Sequence, residues 1–178
     1  MPDDVVDGLY KAVDLAGLEV ASLTLEPIAA IGLAIPEKFR LLNIALVDVG
    51  AGTSDISITK DGSIIAFGML PTAGDSLTES IATHCMVDFN TAEKIKKQSV
   101  IKAKITYKDV MGNKMTISKD EIAKVVADDV ENMASQVAEK IIELNGGKTV
   151  GAVFVVGGGI FPGYTECLAN KLGVAKNR

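Results

Sequence analysis

The sequence has no tryptophan, one histidine and two cysteines, and aromatic residues make up only 4% of its 178 positions. Cys85 and Cys167 stand alone, without the spacing of a metal site or of an extracellular disulfide framework, so we expect reduced thiols in a cytoplasmic protein. No apolar run approaches the roughly 18 residues of a membrane span. We therefore expect no membrane contact from this chain.

A strongly basic surface is also missing. The net charge is −5, and the lysines between residues 94 and 104 form a short cluster interleaved with apolar residues. Contacts to nucleic-acid phosphates need clustered lysine and arginine, so we exclude nucleic acid as a partner. Hydrophobic residues reach 48%, which is ordinary for a globular protein, and the length suffices for one core or two small subdomains.

The spacing of apolar residues and turn signals predicts the order of secondary structure. Helical spacing covers residues 4–16, 27–33, 75–86, a short stretch from 90, 118–144 and 163–172, and strand-like runs cover 18–25, 43–49, 54–59, 63–70, 101–107, 114–117 and 150–156. Asp61-Gly62 predicts a tight hairpin turn. Asn90 with Glu93, and Ser118 with Glu121, predict two helix starts. This order predicts one α/β domain over residues 1–178: a mixed sheet flanked by helices, with a small β-hairpin insertion near 100–118.

Two common nucleotide-binding motifs are excluded by their context. The segment 147–149 ends like a Walker loop, but residue 142 is Ile where a glycine is required, and a strand follows instead of a helix. The segment 50–52 lacks the third glycine and the following helix of a dinucleotide fingerprint.

Residues 47–58 predict a strand, a glycine turn and a second strand. Gly50 and Gly52 allow backbone N–H groups to approach an anion closely, and Thr53 adds a hydroxyl group. Asp48 ends the first strand, where its carboxylate can hold a metal ion through water. Taken alone, such a turn is also found as a plain tight hairpin turn.

Three further segments accompany this turn, and each has a plain structural explanation when taken alone. They are an apolar strand that runs into three glycines over residues 153–159, a charged helix face with Glu93, Lys96 and Lys97, and an alanine-rich segment that opens with Glu26-Pro27. A flexible bend, a solvated helix face and a hinge would account for them separately.

Together and in this order, the four segments resemble the second lobe of the actin, DnaK and hexokinase superfamily over residues 20–172. The resemblance implies an actin-like ATPase lobe with a ribonuclease-H-like fold. Residues 71–78 and 89–96 are most similar to the FtsA family of bacterial cell-division proteins, with the PilM family next.

The resemblance implies ATP and Mg as ligands, and it assigns no catalytic residue to this chain. The implied nucleotide contacts are Gly50, Ala51, Gly52, Thr53, Gly74, Glu93, Lys96, Lys97, Gly157, Gly158 and Gly159. Asp48 and Glu26 are the implied magnesium residues, acting through bound water. Ala51 replaces a glycine that is common in the family, which requires a negative φ at this position.

The family's first lobe has no counterpart here, so we expect a fragment of a larger two-lobed protein and no activity from the fragment alone. The implied function is ATP binding in bacterial cell division or cytoskeletal assembly, with the nucleotide state controlling lobe closure. Implied partners are nucleotide and proteins, either other copies or divisome-type proteins. The alternatives are a lobe of a DnaK-type chaperone, a dehydratase reactivator or a sugar kinase, or an interaction module without nucleotide.

Overall fold

A computed structural model describes residues 3–175 of the chain. The helices are α1 (Asp3–Leu15), α2 (Glu26–Ala34), α3 (Gly74–Cys85), α4 (Phe89–Ile101), α5 (Lys119–Val125), α6 (Ala127–Leu144) and α7 (Tyr164–Leu172), with a 3₁₀ turn at Glu37–Phe39. The strands are β1 (Ile44–Val49), β2 (Ser54–Lys60), β3 (Ser63–Leu70), β4 (Lys104–Lys108), β5 (Lys114–Ser118) and β6 (Ala152–Val156). None of the helices in this part of the chain is both long and apolar enough to cross a membrane.

The central sheet is mixed, as predicted, with the strand order β3-β2-β1-β6. The strands β1, β2 and β3 run antiparallel through two hairpins, whereas β1 and β6 are parallel. The parallel pair is joined by the segment between residues 49 and 152, which contains β2 and β3 and whose helices α3 to α6 pack on one face of the sheet. Because β1 and β6 are parallel neighbours, the turns that follow them lie at the same edge of the sheet.

Helices cover both faces of the sheet, one more heavily than the other. Ala45, Val47 and Val49 point from β1 into the main core, which the helices α3 to α7 complete. Ile44 and Leu46 point to the other face and pack with Ile31 and Ile35 of the α2 region. The central strand is therefore buried on both sides, which fixes the position of its carboxyl end.

The small hairpin insertion is confirmed at β4 and β5. Ile105 and Ile117 lie opposite each other in its register and are both buried in the main core. The alternate positions, including Lys104, Thr106 and Thr116, are exposed. This alternation explains why a two-stranded sheet persists here, since one face is anchored on α4 and α5.

The strand predicted over residues 18–25 is wrong. These residues form neither a helix nor a strand, and they pair with none of the strands between residues 3 and 175. Leu18, Leu23 and Leu25 are more than half exposed. Alternating apolar residues form a strand only where a neighbouring strand accepts the backbone hydrogen bonds, and the described chain offers none here.

The long helix predicted over residues 118–144 is two helices, α5 and α6, separated at Val126. The backbone at Val126 leaves the helical region, with φ −97° and ψ 3°. The side chain of Val126 is nonetheless buried, so the apolar periodicity continues through the bend. The bend lets α5 pack against the hairpin insertion while α6 lies across β2 and β3.

The helix start predicted at Asn90 is displaced by two residues. Asp88 caps α4 instead, accepting hydrogen bonds from the Thr91 backbone N–H at 3.0 Å and the Thr91 hydroxyl at 2.6 Å. The capping box predicted at Ser118 and Glu121 is confirmed. Because Glu93 is not needed as a cap, its carboxylate is available for the contacts described below.

Candidate functional site

The two glycine turns predicted from the sequence meet at one edge of the central sheet. The turn 50–53 follows β1 and the turn 157–159 follows β6. A backbone hydrogen bond of 2.8 Å from the Gly159 N–H to the Val49 carbonyl joins them. Ligands of α/β proteins commonly bind at the carboxyl ends of strands, which is where these turns lie.

Two glycines of the second turn are required by the packing of the chain itself. A side chain at Gly159 would collide with the carbonyl oxygen of Gly50, and one at Gly157 with the carbonyl oxygen of Val49. Gly157 also has a φ of +105°, which L-residues with side chains rarely adopt. Glycine at these positions is therefore explained by close backbone approach within the lobe.

Gly52 and Gly158 have no such explanation. A Cβ atom added at Gly158 would meet no atom within 4 Å, and one at Gly52 would only touch Asp75 Oδ2 at 3.9 Å. Neither glycine has a positive φ. Both lie on the exposed side of their turns. The fold of the described residues does not require glycine here, so the open space beside these two residues suits a closely approaching ligand.

The carbonyl groups of the first turn point into the protein and cap α3. The Gly50 carbonyl accepts the Gly74 N–H at 3.2 Å, and the Ala51 carbonyl accepts the Asp75 N–H at 2.8 Å. Ala73 precedes α3 and supplies no side-chain cap, so the turn satisfies amides that would otherwise lack partners. Ala51 lies outside the positive-φ region, which confirms that its methyl group is accommodated.

The amide groups of the same turn are available. Gly50 donates to the Thr53 carbonyl at 2.9 Å, but the N–H groups of Ala51, Gly52 and Thr53 have no hydrogen-bond partner within residues 3–175. All three residues are exposed. The Thr53 hydroxyl lies 3.3 Å from Asp55 Oδ2. Successive free amides on a glycine turn form a concave site that favours an anion.

The predicted charged face on α4 is split between a buried and an exposed lysine. Glu93 pairs with Lys96 through Oε2 at 2.7 Å and with Lys97 through Oε1 at 3.3 Å. The Lys96 side chain is 11% exposed and the Lys97 side chain 75% exposed. Lys97 is therefore free to reach a ligand at the surface, whereas Lys96 is enclosed.

Thr78 belongs to this cluster and was missed by the sequence reasoning. Its hydroxyl accepts from Lys96 Nζ at 2.6 Å and donates to Glu93 Oε2 at 2.6 Å. The available signal was helical geometry: Thr78 lies one turn after Gly74 on the helix that opens beside the glycine turns. A threonine on an amphipathic helix has no distinctive pattern of its own.

The Glu93 carboxyl is held in its charged form. Its partial burial by itself raises the pKa, but the hydrogen bonds from Lys96 and Thr78 and the charge of Lys96 outweigh that effect and lower the pKa to about 2. The carboxylate therefore stays ionised throughout the neutral range.

The two predicted magnesium residues line one small pocket. Glu26 at the start of α2 and Asp48 at the end of β1 share it with Asp55, which is the register partner of Asp48 on β2. The pocket holds about 50 Å³, enough for a few water molecules but not for a nucleotide. Within the described residues, no three acidic, histidine or cysteine side chains are grouped closely enough to bind a metal directly.

Comparison with known proteins identifies the family. The family model described as "Cell division protein FtsA" matches residues 45–177, more than half of the chain. The chain belongs to the FtsA family. The FtsA of Bacillus subtilis is 24% identical over 97% of this chain and 40% of its own length. The FtsA of Pseudomonas aeruginosa is 38% identical over 49% of this chain and 21% of its own length. This FtsA-family chain thus spans less than half the length of these relatives.

Solved structures confirm the actin-like ATPase fold. The ethanolamine utilization protein EutJ from Carboxydothermus hydrogenoformans is 30% identical, with a TM-score of 0.66 over 91% of this chain and 52% of that one. MreB5 of Spiroplasma citri, solved bound to ADP, is 24% identical with a TM-score of 0.69, over 89% of this chain and 55% of that one. The PilM–PilN type IV pilus biogenesis complex gives 20% identity and a TM-score of 0.70. The last two likenesses concern the fold alone.

Proposed function

We propose that this chain is a magnesium–ATP-binding lobe of an FtsA-like, actin-fold protein that acts in bacterial cell division. The observation that carries the proposal is the turn 50–53. It presents three unpaired amides, and beside it Gly52 and Gly158 leave space that the packing of the lobe does not require. Free amides and unfilled space at the edge of a sheet suit the phosphates of a nucleotide.

The residues around the two glycine turns suit both the phosphate end and the nucleoside end of an adenine nucleotide. The amides of Ala51, Gly52 and Thr53 would hold the terminal phosphates. The open side of Gly158 would receive the nucleoside, with Lys97 and the Oε1 atom of Glu93 reaching it from α4. A bound nucleotide would supply a terminal phosphate whose presence or loss distinguishes two states of the protein.

The acidic pocket fits magnesium only through water. Magnesium in nucleotide sites usually keeps several water molecules and binds one or two carboxylates together with phosphate oxygens. Asp48 and Glu26 would orient such water from the floor of the site. Their shared small pocket and the lack of a direct three-ligand cluster within residues 3–175 both support this role.

The role in cell division follows from membership of the FtsA family. In this proposal the lobe acts in a complete two-lobed protein, where the bound nucleotide biases closure and contacts with protein partners. Those partners are other copies of the protein or proteins of the division apparatus. Any hydrolysis belongs to the complete molecule.

A second candidate function is a role in small-molecule metabolism on the same fold. It is favoured by the likeness to EutJ, an ethanolamine utilization protein that is 30% identical over 91% of this chain. Both candidates use the same nucleotide site. Removal of the gene separates them, because failed division gives undivided filaments, whereas the metabolic role leaves division intact.

Nucleotide binding itself is tested with glycine substitutions that spare the fold. Gly52→Ala and Gly158→Ala are expected to retain the parent's free energy of unfolding and to weaken magnesium–ATP binding by at least about tenfold, measured by calorimetric titration. Gly8→Ala is the matched control, because a Cβ at Gly8 on α1 also meets nothing within 4 Å. Equal ATP affinity in all four proteins would contradict the proposed site.

A further inference from the structure

The ammonium group of Lys96 is fully occupied by atoms of the protein. Its Nζ atom lies 2.7 Å from the Gly74 carbonyl oxygen, 2.6 Å from the Thr78 hydroxyl and 2.7 Å from Glu93 Oε2. A lysine has three N–H donors, so three acceptors satisfy the group completely. The residue is only 9% exposed, and in this arrangement no N–H donor of Lys96 is left for a nucleoside.

Gly74, which Lys96 holds, lies where the two glycine turns meet. The Gly74 N–H donates to the Gly50 carbonyl of the first turn. A Cβ at Gly74 would lie 3.0 Å from the Gly159 Cα atom and 3.5 Å from Lys96 Nζ. Gly74 is therefore hydrogen-bonded to the first turn and packed close beside the second, while Lys96 of α4 holds its carbonyl.

The partners of Lys96 come from two helices. Thr78 is on α3, and Glu93 is on α4 together with Lys96 itself. The ammonium therefore links the start of α3 to α4. It binds the carbonyl of Gly74, and the N–H of the same residue donates to the Gly50 carbonyl of the first turn. A shift of Lys96 would move Gly74, and through Gly74 it would move the turn 50–53.

We propose that Lys96 is a positioning residue of this site: it sets the distance between the two glycine turns by holding Gly74, and it makes no contact with the nucleotide. This assignment differs from the nucleoside contact that the sequence resemblance implied for Lys96. That Lys96 positions a nucleotide site rests on the proposed function. Its contacts with Gly74, Thr78 and Glu93 can be tested in the nucleotide-free chain.

The first test measures amide hydrogen exchange without nucleotide. Lys96→Met is expected to lower protection of the Gly74 and Asp75 amides by about tenfold, because it removes the charged hydrogen bond to the Gly74 carbonyl that lies between these two amides. Lys94→Met, an exposed lysine of the same helix, is the control and should change nothing. Unchanged protection in Lys96→Met would overturn the proposal, as would an equal loss throughout β1, which would indicate a general role in stability.

The second test observes the lysine ammonium signals by nitrogen-15 NMR. A buried ammonium with three acceptors exchanges its protons slowly, so Lys96 should give a visible signal in the free chain. Thr78→Ser retains the hydroxyl and should retain the signal, whereas Thr78→Val should lose it. The absence of the signal in the parent chain, or its survival in Thr78→Val, would overturn the proposal.

Magnesium–ATP is then added to the parent chain. A positioning role predicts that the Lys96 ammonium signal keeps its shift while the amides of residues 51–53 move. A moving Lys96 signal would show direct contact and overturn the proposal. If no signal in the chain responds to the nucleotide, the proposed function fails, whereas the positioning of Gly74 is still decided by the two nucleotide-free tests.

Discussion

Alanine substitutions at Gly158 and Gly159 should have opposite consequences although the residues are neighbours. At Gly159 the added methyl group would collide with the Gly50 carbonyl oxygen and lie 3.0 Å from Val49 Cγ1. Val49 ends β1, which is packed on two faces and cannot move away easily. The Gly50 carbonyl follows it in the turn and is held by its hydrogen bond from the Gly74 N–H. At Gly158 the same methyl group meets no atom within 4 Å.

The expected magnitudes follow from these contacts. Overfilling a packed site costs about 1–3 kcal/mol, so Gly159→Ala should lower the free energy of unfolding by at least that amount. For a chain of this length, 1 kcal/mol corresponds to roughly 2–4 °C in Tm. Gly158→Ala should leave the free energy of unfolding equal to the parent's or about 0.4–1 kcal/mol higher, because alanine restricts the unfolded chain.

The assay is urea unfolding followed by circular dichroism, with a magnesium–ATP titration of each variant that remains folded. We expect Gly159→Ala to be destabilised, and Gly158→Ala to be stable but to bind nucleotide poorly. If Gly158→Ala is as destabilised as Gly159→Ala, the fold itself requires glycine at position 158. That result would refute the claim that the space beside Gly158 is left open for a ligand. Stable Gly158→Ala with full affinity would refute the assignment of that space to the ligand.

Two other predictions concern stability. The Tyr164 hydroxyl is buried without a hydrogen-bond partner among the described residues, so Tyr164→Phe should raise the free energy of unfolding by about 1 kcal/mol. The exposed Tyr10→Phe is the control, and no gain in Tyr164→Phe would indicate an undetected partner. Glu93 has its pKa lowered from 4.5 to about 2 in the folded chain, so its stabilising contribution is complete above about pH 4.5 and is lost as the pH falls towards 2. Urea unfolding at a series of pH values should therefore show a smaller loss of stability over this window in Glu93→Gln than in the parent, and equal losses would contradict the assigned contacts.

The secondary structure was predictable where local pattern and tertiary packing agree. The Asp61-Gly62 turn is an example, since both residues have the positive φ that a tight hairpin turn requires. The segment 18–25 is the opposite case, because a strand depends on a partner that local pattern cannot reveal. The bend at Val126 was hidden because its buried side chain continues the helical periodicity through it.

The site was predictable as a set of segments but not as a set of contacts. Glycine patterns located both turns, and helical spacing brought Glu93, Lys96 and Lys97 to one face. Spacing could not show that Lys96 turns inward to Gly74, because that depends on how α3 and α4 pack. The role of Thr78 was unpredictable for the same reason.

The measurement that tests the central claim most directly is a magnesium–ATP titration of the nitrogen-15-labelled chain, followed through its backbone amides. We expect saturable shifts at residues 51–53 and at Gly158, with smaller changes at Glu93 and Lys97. The same titration of Gly52→Ala should leave these signals in place. Shifts confined to other surfaces, or none at millimolar nucleotide, would contradict a nucleotide site at the glycine turns.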